Sequence, residues 1–405
     1  MIEATARPVP EYLGEVERFS AHNYHPLPVV LDRGEGVWVW DVEGNRYLDM
    51  LSAYSALNQG HRHPEIIEAA RAQLDRLTLT SRAFHNDQMG PFLAELCEAT
   101  GFERALPMNT GAEAVETALK TVRKWAYEVK GVPPDQAEII VCENNFHGRT
   151  TTIVGFSSEE QYRSGFGPFT PGFRMVPYGD ADALETAIGP NTAGFLVEPL
   201  QGEGGVVVPP EGYLRRARAL CDEHRVALMA DEIQTGLGRT GRLFCSEWED
   251  VRPDLLIVGK ALGGGVYPVS AVIADSEFMD VFHPGDHGST FGGNPLGAAV
   301  GRASLRVILD EDLPARADRL GSAFMSRLRG IDSPHIREVR GRGLLIGVVV
   351  EDSSGTARPF CEALKERGIL AKETHEQVIR FAPPLVIDEE TLDFAFEQVR
   401  DVLTA

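Results

Sequence analysis

Two polar residues that could hold and activate a carbonyl cofactor follow apolar runs of the chain. Lys260 follows the run Leu255–Val258 and stands before a cluster of glycines. Asp231 follows a second apolar run, Val226–Ala230. Apolar runs of this length that end in polar or glycine residues are typical of buried strands. A lysine and an aspartate presented at strand ends in this way can hold pyridoxal phosphate (PLP).

The two residues have separate tasks in that chemistry. Lys260 must form an imine with the cofactor aldehyde, so its amine must be deprotonated often enough to act as nucleophile and base. Asp231 must keep the pyridine nitrogen protonated, so that the ring can draw electrons from the substrate. The structural alternative is that Lys260 extends from a strand end toward solvent and Asp231 caps the next helix.

The length and composition of the chain are typical of a globular protein. The chain has 405 residues, 43% hydrophobic and 24% charged residues, and a formal net charge of −21. This length suits a large α/β domain with a smaller companion. The negative charge opposes non-specific binding to nucleic acid, and the absence of a long apolar run argues against a membrane span. Because the N-terminus resembles neither a signal nor a transit peptide, the expected location is the cytoplasm.

Neither cysteine nor histidine spacing predicts a metal site. The five cysteines form no CxxC pair, so reduced, packed thiols are expected. His61 and His63 flank an arginine without an acidic or cysteine partner at ligand spacing, which favours a structural turn.

The middle of the chain alternates apolar runs with helical segments, and this pattern predicts a mostly parallel sheet covered by helices on both faces. The predicted strands are Glu138–Cys142, Ala193–Val197, Val226–Ala230, Asp254–Val258 and Val269–Ala274. Ligands bind beyond the carboxyl ends of such strands, where Glu198, Asp231 and Lys260 fall.

A helix is predicted after Thr110, because apolar residues recur every three to four positions at Val115, Leu119, Val122, Ala126 and Val129. Its first turn contains Gly111 and Ala112, whose backbone amides could bind a phosphate at the positive end of the helix. An ordinary threonine N-cap is the alternative.

The C-terminal part of the chain has a different pattern, with helical segments on either side of the apolar run Gly343–Val350. The predicted organisation is an N-terminal segment, 1–55, that packs with the small domain; a large PLP-binding domain, 56–297; and a small α+β domain, 298–405.

Six segments of the chain resemble motifs of the class III, fold-type I PLP-dependent aminotransferases. They are Leu106–Glu113, Asn145–Thr150, Val197–Glu203, Asp231–Gly236, Gly259–Gly264 and His287–Asn294. The resemblance runs from His22 to Pro384 and therefore covers nearly the whole chain. It implies the fold-type I architecture, with a mostly parallel central sheet flanked by helices and a smaller α+β domain.

The resemblance implies a role for each residue around the cofactor ring. Lys260 forms the imine, and Asp231 pairs with the pyridine nitrogen. Gln234 hydrogen-bonds the phenolic oxygen, while Phe146 stacks on one face of the ring and Ile233 packs on the other.

The resemblance also implies how the cofactor phosphate is held. Gly111 and Ala112 supply backbone amides, and Thr290, together with Ser289, reaches the phosphate of the neighbouring subunit. The expected assembly is therefore a homodimer or a larger oligomer.

For the substrate site, the sequence is similar to the ornithine-using members of that family. The resemblance implies that Arg149 binds the α-carboxylate of ornithine and that Arg380 binds the carboxylate beside the keto group of 2-oxoglutarate. Glu203 pairs with Arg380 while ornithine is bound. Tyr24 contacts the α-amino group, and Tyr54 lines the pocket.

The implied reaction moves the δ-amino group of ornithine to 2-oxoglutarate and connects arginine with proline metabolism. Enzymes acting on acetylornithine or 4-aminobutyrate are the nearest alternatives; a PLP mutase and a PLP-sensing regulator are more distant ones. His147 stands where some members have tryptophan, so it is expected to alter the shape of the pocket and leave the chemistry intact. Glu198 is expected to support the site without contacting the substrate.

Overall fold

The computed structural model describes residues 7–405. Residues 1–6 of the predicted N-terminal segment lie outside the described residues. Strands and helices are named here in chain order.

The strands are β1 (Leu31–Glu35), β2 (Trp38–Asp41), β3 (Arg46–Asp49), β4 (Arg104–Met108), β5 (Glu138–Cys142), β6 (Phe173–Val176), β7 (Thr192–Val197), β8 (Ala227–Asp231), β9 (Leu255–Val258), β10 (Ser270–Ala274), β11 (Ile336–Arg342), β12 (Leu345–Val350), β13 (Ile369–Leu370), β14 (Lys372–Thr374) and β15 (Val378–Phe381).

The helices are α1 (Val9–Phe19), α2 (Ser52–Ser55), α3 (Pro64–Leu74), α4 (Met89–Thr100), α5 (Gly111–Trp125), α6 (Thr151–Gly155), α7 (Glu160–Arg163), α8 (Ala181–Ala187), α9 (Tyr213–His224), α10 (Ser276–Met279), α11 (Pro295–Asp310), α12 (Leu313–Arg329), α13 (Arg358–Glu366) and α14 (Glu389–Leu403). Short 3-10 turns include Lys260–Gly263, directly after β9. Among residues 7–405, no helix is long and apolar enough to cross a membrane.

The central sheet has seven strands in the order β4-β10-β9-β8-β7-β5-β6. Strands β5 to β9 run parallel to one another, and β7, β8 and β9 are buried along their whole length. These observations confirm the predicted mostly parallel sheet. β10 runs antiparallel to both of its neighbours, because the short link from β9 cannot make the crossover that a parallel neighbour needs.

Helix α5 begins at a capping box: the Thr110 side chain accepts the N–H of Glu113, and the Glu113 side chain accepts the N–H of Thr110. The predicted stripe is buried at Val115 and Val122 but not at Val129, which is 43% exposed. The chain forms a π-helical turn at Ala126–Lys130. Because this turn is wider than an α-helical turn, the side chain of Val129 within it no longer lies on the buried face of the helix. The prediction that Val129 is buried was therefore wrong.

The N-terminal strands associate with the C-terminal part of the chain. A four-stranded sheet has the order β1-β2-β3-β13, and β3 pairs with β13 in parallel. A second four-stranded sheet, β11-β12-β15-β14, packs under α12 and α13. The predicted boundary at residue 297 lies inside α11, which packs against α3 and α4 of the large part. The domain division itself stays a prediction.

Candidate active site

A cavity of about 200 Å³ opens beyond the carboxyl ends of β7, β8 and β9 and beside the first turn of α5. We call it the Lys260 cavity. It is lined by Gly111, Ala112, Phe146, His147, Gly148, Glu198, Glu203, Asp231, Ile233, Gln234, Thr235 and Lys260. The structure thus brings together residues that the sequence analysis predicted separately at strand ends and at the helix start.

Lys260 occupies the left-handed region of the backbone map, with φ of 44°. A residue with a side chain avoids this region, and such strain persists only where the surrounding structure holds it. The turn that carries Lys260 packs closely against the helix that contains Ser304, and only glycine fits at position 264. A Cβ on Gly264 would lie 2.3 Å from the Ser304 hydroxyl. Burial lowers the pKa of Lys260, and the nearby charges of Glu203 and Asp231 do not fully offset that effect. The amine therefore loses its proton more easily than a surface lysine does.

Asp231 ends β8 and is only 5% exposed. Its Oδ1 accepts the backbone N–H of Ile233 at 3.1 Å, and its Oδ2 lies 2.7 Å from Nδ1 of His147. His147 is therefore more than a determinant of pocket shape, which is the only role that the sequence analysis gave it. Its position next to Phe146 was the available signal, but no local pattern shows that the chain returns it to Asp231.

The lining of the Lys260 cavity fits PLP. Gly111 and Ala112 stand at the positive end of α5, and within residues 7–405 their backbone N–H groups donate to no acceptor. Two such amides suit a phosphate. Asp231 offers a carboxylate for the ring nitrogen, and Lys260 offers an amine for the aldehyde. The buried Oε1 of Gln234 has no protein partner within the described residues.

Phe146 is held at the cavity by Glu198, which stands at the end of β7. The backbone N–H of Phe146 donates to Oε1 of Glu198 at 2.8 Å. Burial raises the pKa of Glu198 to about 7, although the neighbouring charges of His147 and Lys260 lower it. Glu198 thus supports a lining residue through the backbone, and it also lines the cavity itself. That it does not contact the substrate stays a prediction.

Arg380 and Glu203 form a buried ion pair beside Lys260. Nη1 of Arg380, on β15, lies 2.5 Å from Oε1 of Glu203, and Arg380 is almost fully buried. Nε2 of Gln234 donates to the same oxygen at 3.0 Å. Burial raises the pKa of Glu203, but the positive charges of Arg380 and Lys260 outweigh it and hold the pKa at about 2. Glu203 is therefore ionised and neutralises Arg380.

Tyr54 lies against Arg380, whose guanidinium carbon is 4.9 Å from the centre of the tyrosine ring. All four residues of α2 have positive φ, so α2 is a strained left-handed turn. The buried Arg239 holds this turn in place, because its Nη2 donates to Ser52 Oγ at 3.0 Å and its Nη1 donates to the backbone oxygen of Pro383 at 2.6 Å. One arginine thereby ties the Tyr54 turn to the segment that follows Arg380.

Tyr24 and Arg149 line a second cavity of about 270 Å³, which we call the Arg149 cavity. Tyr24 is 75% exposed and does not line the Lys260 cavity. The guanidinium carbon of Arg149 lies 4.0 Å from the ring centre of Tyr162 on α7 and 5.5 Å from that of Phe146. Tyr162 was absent from the sequence prediction, because no motif signals a tyrosine that stacks on an arginine.

Ser289 and Thr290 lie outside both cavities in this chain. The Ser289 hydroxyl accepts Nδ2 of Asn109 at 2.9 Å, and Thr290 is exposed. Their expected contact with the phosphate of a neighbouring subunit stays a prediction. None of the described residues forms a cluster of metal-ligating side chains.

Comparison with known proteins gives full-length matches. The ornithine aminotransferase of Brevibacillus brevis is 62% identical over 389 residues, which cover 96% of this chain and 97% of that protein. The ornithine aminotransferase of Bacillus subtilis is 60% identical over 393 residues, covering 97% of both chains.

Solved structures also match nearly the whole chain. The ornithine aminotransferase of Toxoplasma gondii, described with partial occupancy of PLP at its active site, superposes with a TM-score of 0.97 at 49% identity, covering 98% of this chain and 95% of that one. An acetylornithine aminotransferase from Elizabethkingia anophelis gives a TM-score of 0.90 at 50% identity, with coverage of 98% and 99%. The family described as aminotransferase class III matches residues 19–403. This chain is therefore a member of the class III aminotransferase family, as the motifs around Lys260 predicted.

Proposed function

We propose that the protein transfers the δ-amino group of L-ornithine to 2-oxoglutarate, with PLP as cofactor. The products are L-glutamate and glutamate 5-semialdehyde, which cyclises to pyrroline-5-carboxylate. Relatives that carry the name ornithine aminotransferase are about 60% identical over nearly the whole chain, and they support this substrate. The acetylornithine aminotransferase at 50% identity makes N-acetylornithine the alternative donor to test.

The two arginines differ in whether a carboxylate pairs with them, and this difference supports the proposal. Arg380 is neutralised by Glu203 beside Lys260, whereas Arg149 forms no ion pair with any of the described residues. A free arginine attracts a carboxylate more strongly than a paired one does. The α-carboxylate of ornithine therefore binds at Arg149, which leaves the opposite end of the molecule, its δ-amine, directed toward Lys260.

The chemical step relies on a proton transfer by Lys260. PLP, when bound, supplies an aldehyde for the donor amine and a ring that withdraws electrons from the adjacent carbon. Nζ of Lys260 takes the proton from the δ-carbon of ornithine, and its lowered pKa suits this role as base. Asp231 would hold the pyridine nitrogen of bound PLP, and Phe146 and Ile233, which also line the cavity, would hold the ring.

The second half of the reaction requires Arg380. 2-Oxoglutarate carries two carboxylates, so it needs one arginine at each end. Its distal carboxylate binds at Arg149, and Glu203 releases Arg380 for the carboxylate beside the keto group. Two parallel N–H groups of an arginine match a carboxylate well, which favours this exchange. The Ser289–Thr290 segment reaches the partner's phosphate in the homodimer that we propose.

A substrate comparison tests the proposed function. With 2-oxoglutarate as acceptor, we expect kcat/KM for ornithine to exceed that for N-acetylornithine and for 4-aminobutyrate by at least about tenfold, because only ornithine carries both a free α-amine and an α-carboxylate beyond its reacting end. One glutamate should form for each ornithine consumed. Faster turnover of N-acetylornithine would reassign the donor. Product formation beyond one equivalent per active site in the absence of 2-oxoglutarate would indicate a mutase.

The stacking of Tyr162 on Arg149 leads to a prediction about donor binding. We expect Tyr162→Leu to raise KM for ornithine about fivefold and to change kcat less than about twofold, because a cation–π contact contributes about 1 kcal/mol. Steady-state kinetics with ornithine as the varied substrate measure both constants. Tyr162→Phe keeps the ring and should retain the wild-type KM. Equal effects of the two substitutions would show that the hydroxyl, and not the ring, positions Arg149.

A further inference from the structure

Glu203 lies in a tight turn that follows β7 and is closed at its base. The backbone N–H of Gln201 donates to the oxygen of Val207 at 3.1 Å, and the N–H of Val207 donates to the oxygen of Gln201 at 2.8 Å. Between these two residues, a Cβ on Gly202 would overlap the side chain of Gln234, so the turn packs directly against the Lys260 cavity. The backbone from which the Glu203 side chain starts is therefore confined.

Two side chains from the C-terminal part of the chain hold the open end of this turn. Thr374 Oγ1 donates to the backbone oxygen of Glu203 at 2.7 Å, and Nη2 of Arg340 donates to the backbone oxygen of Gly205 at 2.8 Å. Thr374 is 8% exposed, and among residues 7–405 no other group donates to the Glu203 oxygen. A hydrogen bond of a buried hydroxyl is costly to break, because the group left without a partner has no access to water.

Thr374 and Arg380 lie on the same sheet. In the antiparallel pair of β14 and β15, Lys372 lies opposite Arg380 and Thr374 lies opposite Val378. Residues two apart on a strand point to the same face, and so do residues that lie opposite each other, so Thr374 and Arg380 share one face of the sheet. This face binds the backbone of Glu203 through Thr374 and its carboxylate through Arg380.

We propose that Thr374 is a positioning residue that holds Glu203 on Arg380 and thereby sets how strongly Arg380 is withheld from carboxylates. The inference rests on the proposed function, in which Glu203 releases Arg380 only for the oxoacid. With its backbone held, Glu203 leaves Arg380 by rotation of its own side chain and returns to the same place. Without the Thr374 hydroxyl, the turn gains freedom, and the pairing of Glu203 with Arg380 becomes less favourable.

The test compares Thr374→Val, which keeps the shape of the side chain and removes the donor, with Thr374→Ser, which keeps the hydroxyl. Using the full-length holoenzyme, we expect Thr374→Val to lower the half-saturating concentration of glutamate in its half-reaction about fivefold, because one hydrogen bond is lost. The limiting rates with glutamate and with ornithine should change less than about twofold. Thr374→Ser should restore the wild-type half-saturation.

Thr186→Val is the matched control. The Thr186 hydroxyl also donates to a backbone oxygen, that of Asp182 within α8, and Thr186 lines neither cavity. Its replacement should leave both the half-saturation and the limiting rates at their wild-type values. If Thr374→Val does not fold, the smaller Thr374→Ala, which also lacks the hydroxyl, is measured in its place with the same expected result.

A second readout does not depend on turnover. Glutarate carries two carboxylates but no keto group, so it should bind to the two arginines without reacting. Calorimetry on the holoenzyme should give a Kd for glutarate about fivefold lower in Thr374→Val than in the wild type. Thr374→Ser and Thr186→Val should keep the wild-type Kd.

A glutarate affinity in Thr374→Val that equals the wild-type affinity or is weaker would overturn the inference. A Thr374→Ser variant that behaves like Thr374→Val would overturn it as well, since the hydroxyl would then not be the group that matters. If the wild type fails to use ornithine, the substrate assignment fails, while the glutarate affinities still decide the role of Thr374.

Discussion

Lys260→Ala is expected to lower multiple-turnover transamination by at least roughly 10³-fold, because it removes the amine that holds the aldehyde and the base that moves the substrate proton. The lysine is strained, lies in the Lys260 cavity and has a lowered pKa, and no other amine lines that cavity within residues 7–405. Turnover of ornithine with 2-oxoglutarate measures the loss. The absorbance of the lysine-bound cofactor should disappear as well.

Lys260→Arg provides the control for charge. An arginine keeps a positive group near Glu203 and Asp231 but is not a nucleophile at neutral pH. We expect it to be as inactive as the alanine variant while it retains more of the folded stability. An unchanged cofactor spectrum in Lys260→Ala would show that another residue binds the aldehyde.

Glu203→Ala is expected to raise reactivity toward α-amino groups relative to the δ-amine of ornithine by about 100-fold, since a charge-assisted hydrogen bond contributes up to about 3 kcal/mol. In the wild type, Glu203 neutralises Arg380. Without it, Arg380 binds the α-carboxylate of an amino acid and places the α-amine beside Lys260. The ratio of half-reaction rates with glutamate and with ornithine is the measurement.

Glu203→Gln separates charge from shape. The amide oxygen can still accept from Gln234, but the negative charge at Arg380 is gone. For Glu203→Gln, we expect the ratio of the half-reaction rates with glutamate and with ornithine to lie between the ratios of the wild type and of the alanine variant. If neither substitution changes the ratio, Glu203 does not control access to Arg380.

The preference of the wild type for the δ-amine of ornithine over the α-amine of glutamate should not depend on pH over the working range. A carboxyl whose pKa is lowered to about 2 is ionised above that value, so Glu203 stays negative from about pH 5 to about pH 9. The ratio of glutamate to ornithine half-reaction rates, measured across this interval and corrected for the ionisation of the free amines, should stay constant. A ratio that rises as the pH falls toward 5 would show that Glu203 is protonated in the working range and that its pairing with Arg380 is weak.

Much of the fold could be predicted from local patterns. The run Leu255–Val258 forms a strand, and the segment after Thr110 forms a helix with a capping box, because apolar periodicity and capping residues act over a few neighbours. The prediction that Val129 is buried was wrong, because the chain forms a π-helical turn there. The direction of β10, which the mostly parallel pattern left open, follows from the length of its link to β9.

By itself, the sequence determined the strand-end positions of Asp231 and Lys260, the capped start of the helix after Thr110, and the family resemblance. Only the tertiary structure decided which side chains meet. His147 contacts a carboxylate 84 residues away, and Glu203 pairs with an arginine 177 residues away. Such contacts depend on how sheets and helices pack, and residue spacing along the chain does not encode them. The arrangement of Glu198, His147 and Asp231 around the site therefore became visible only in the folded protein.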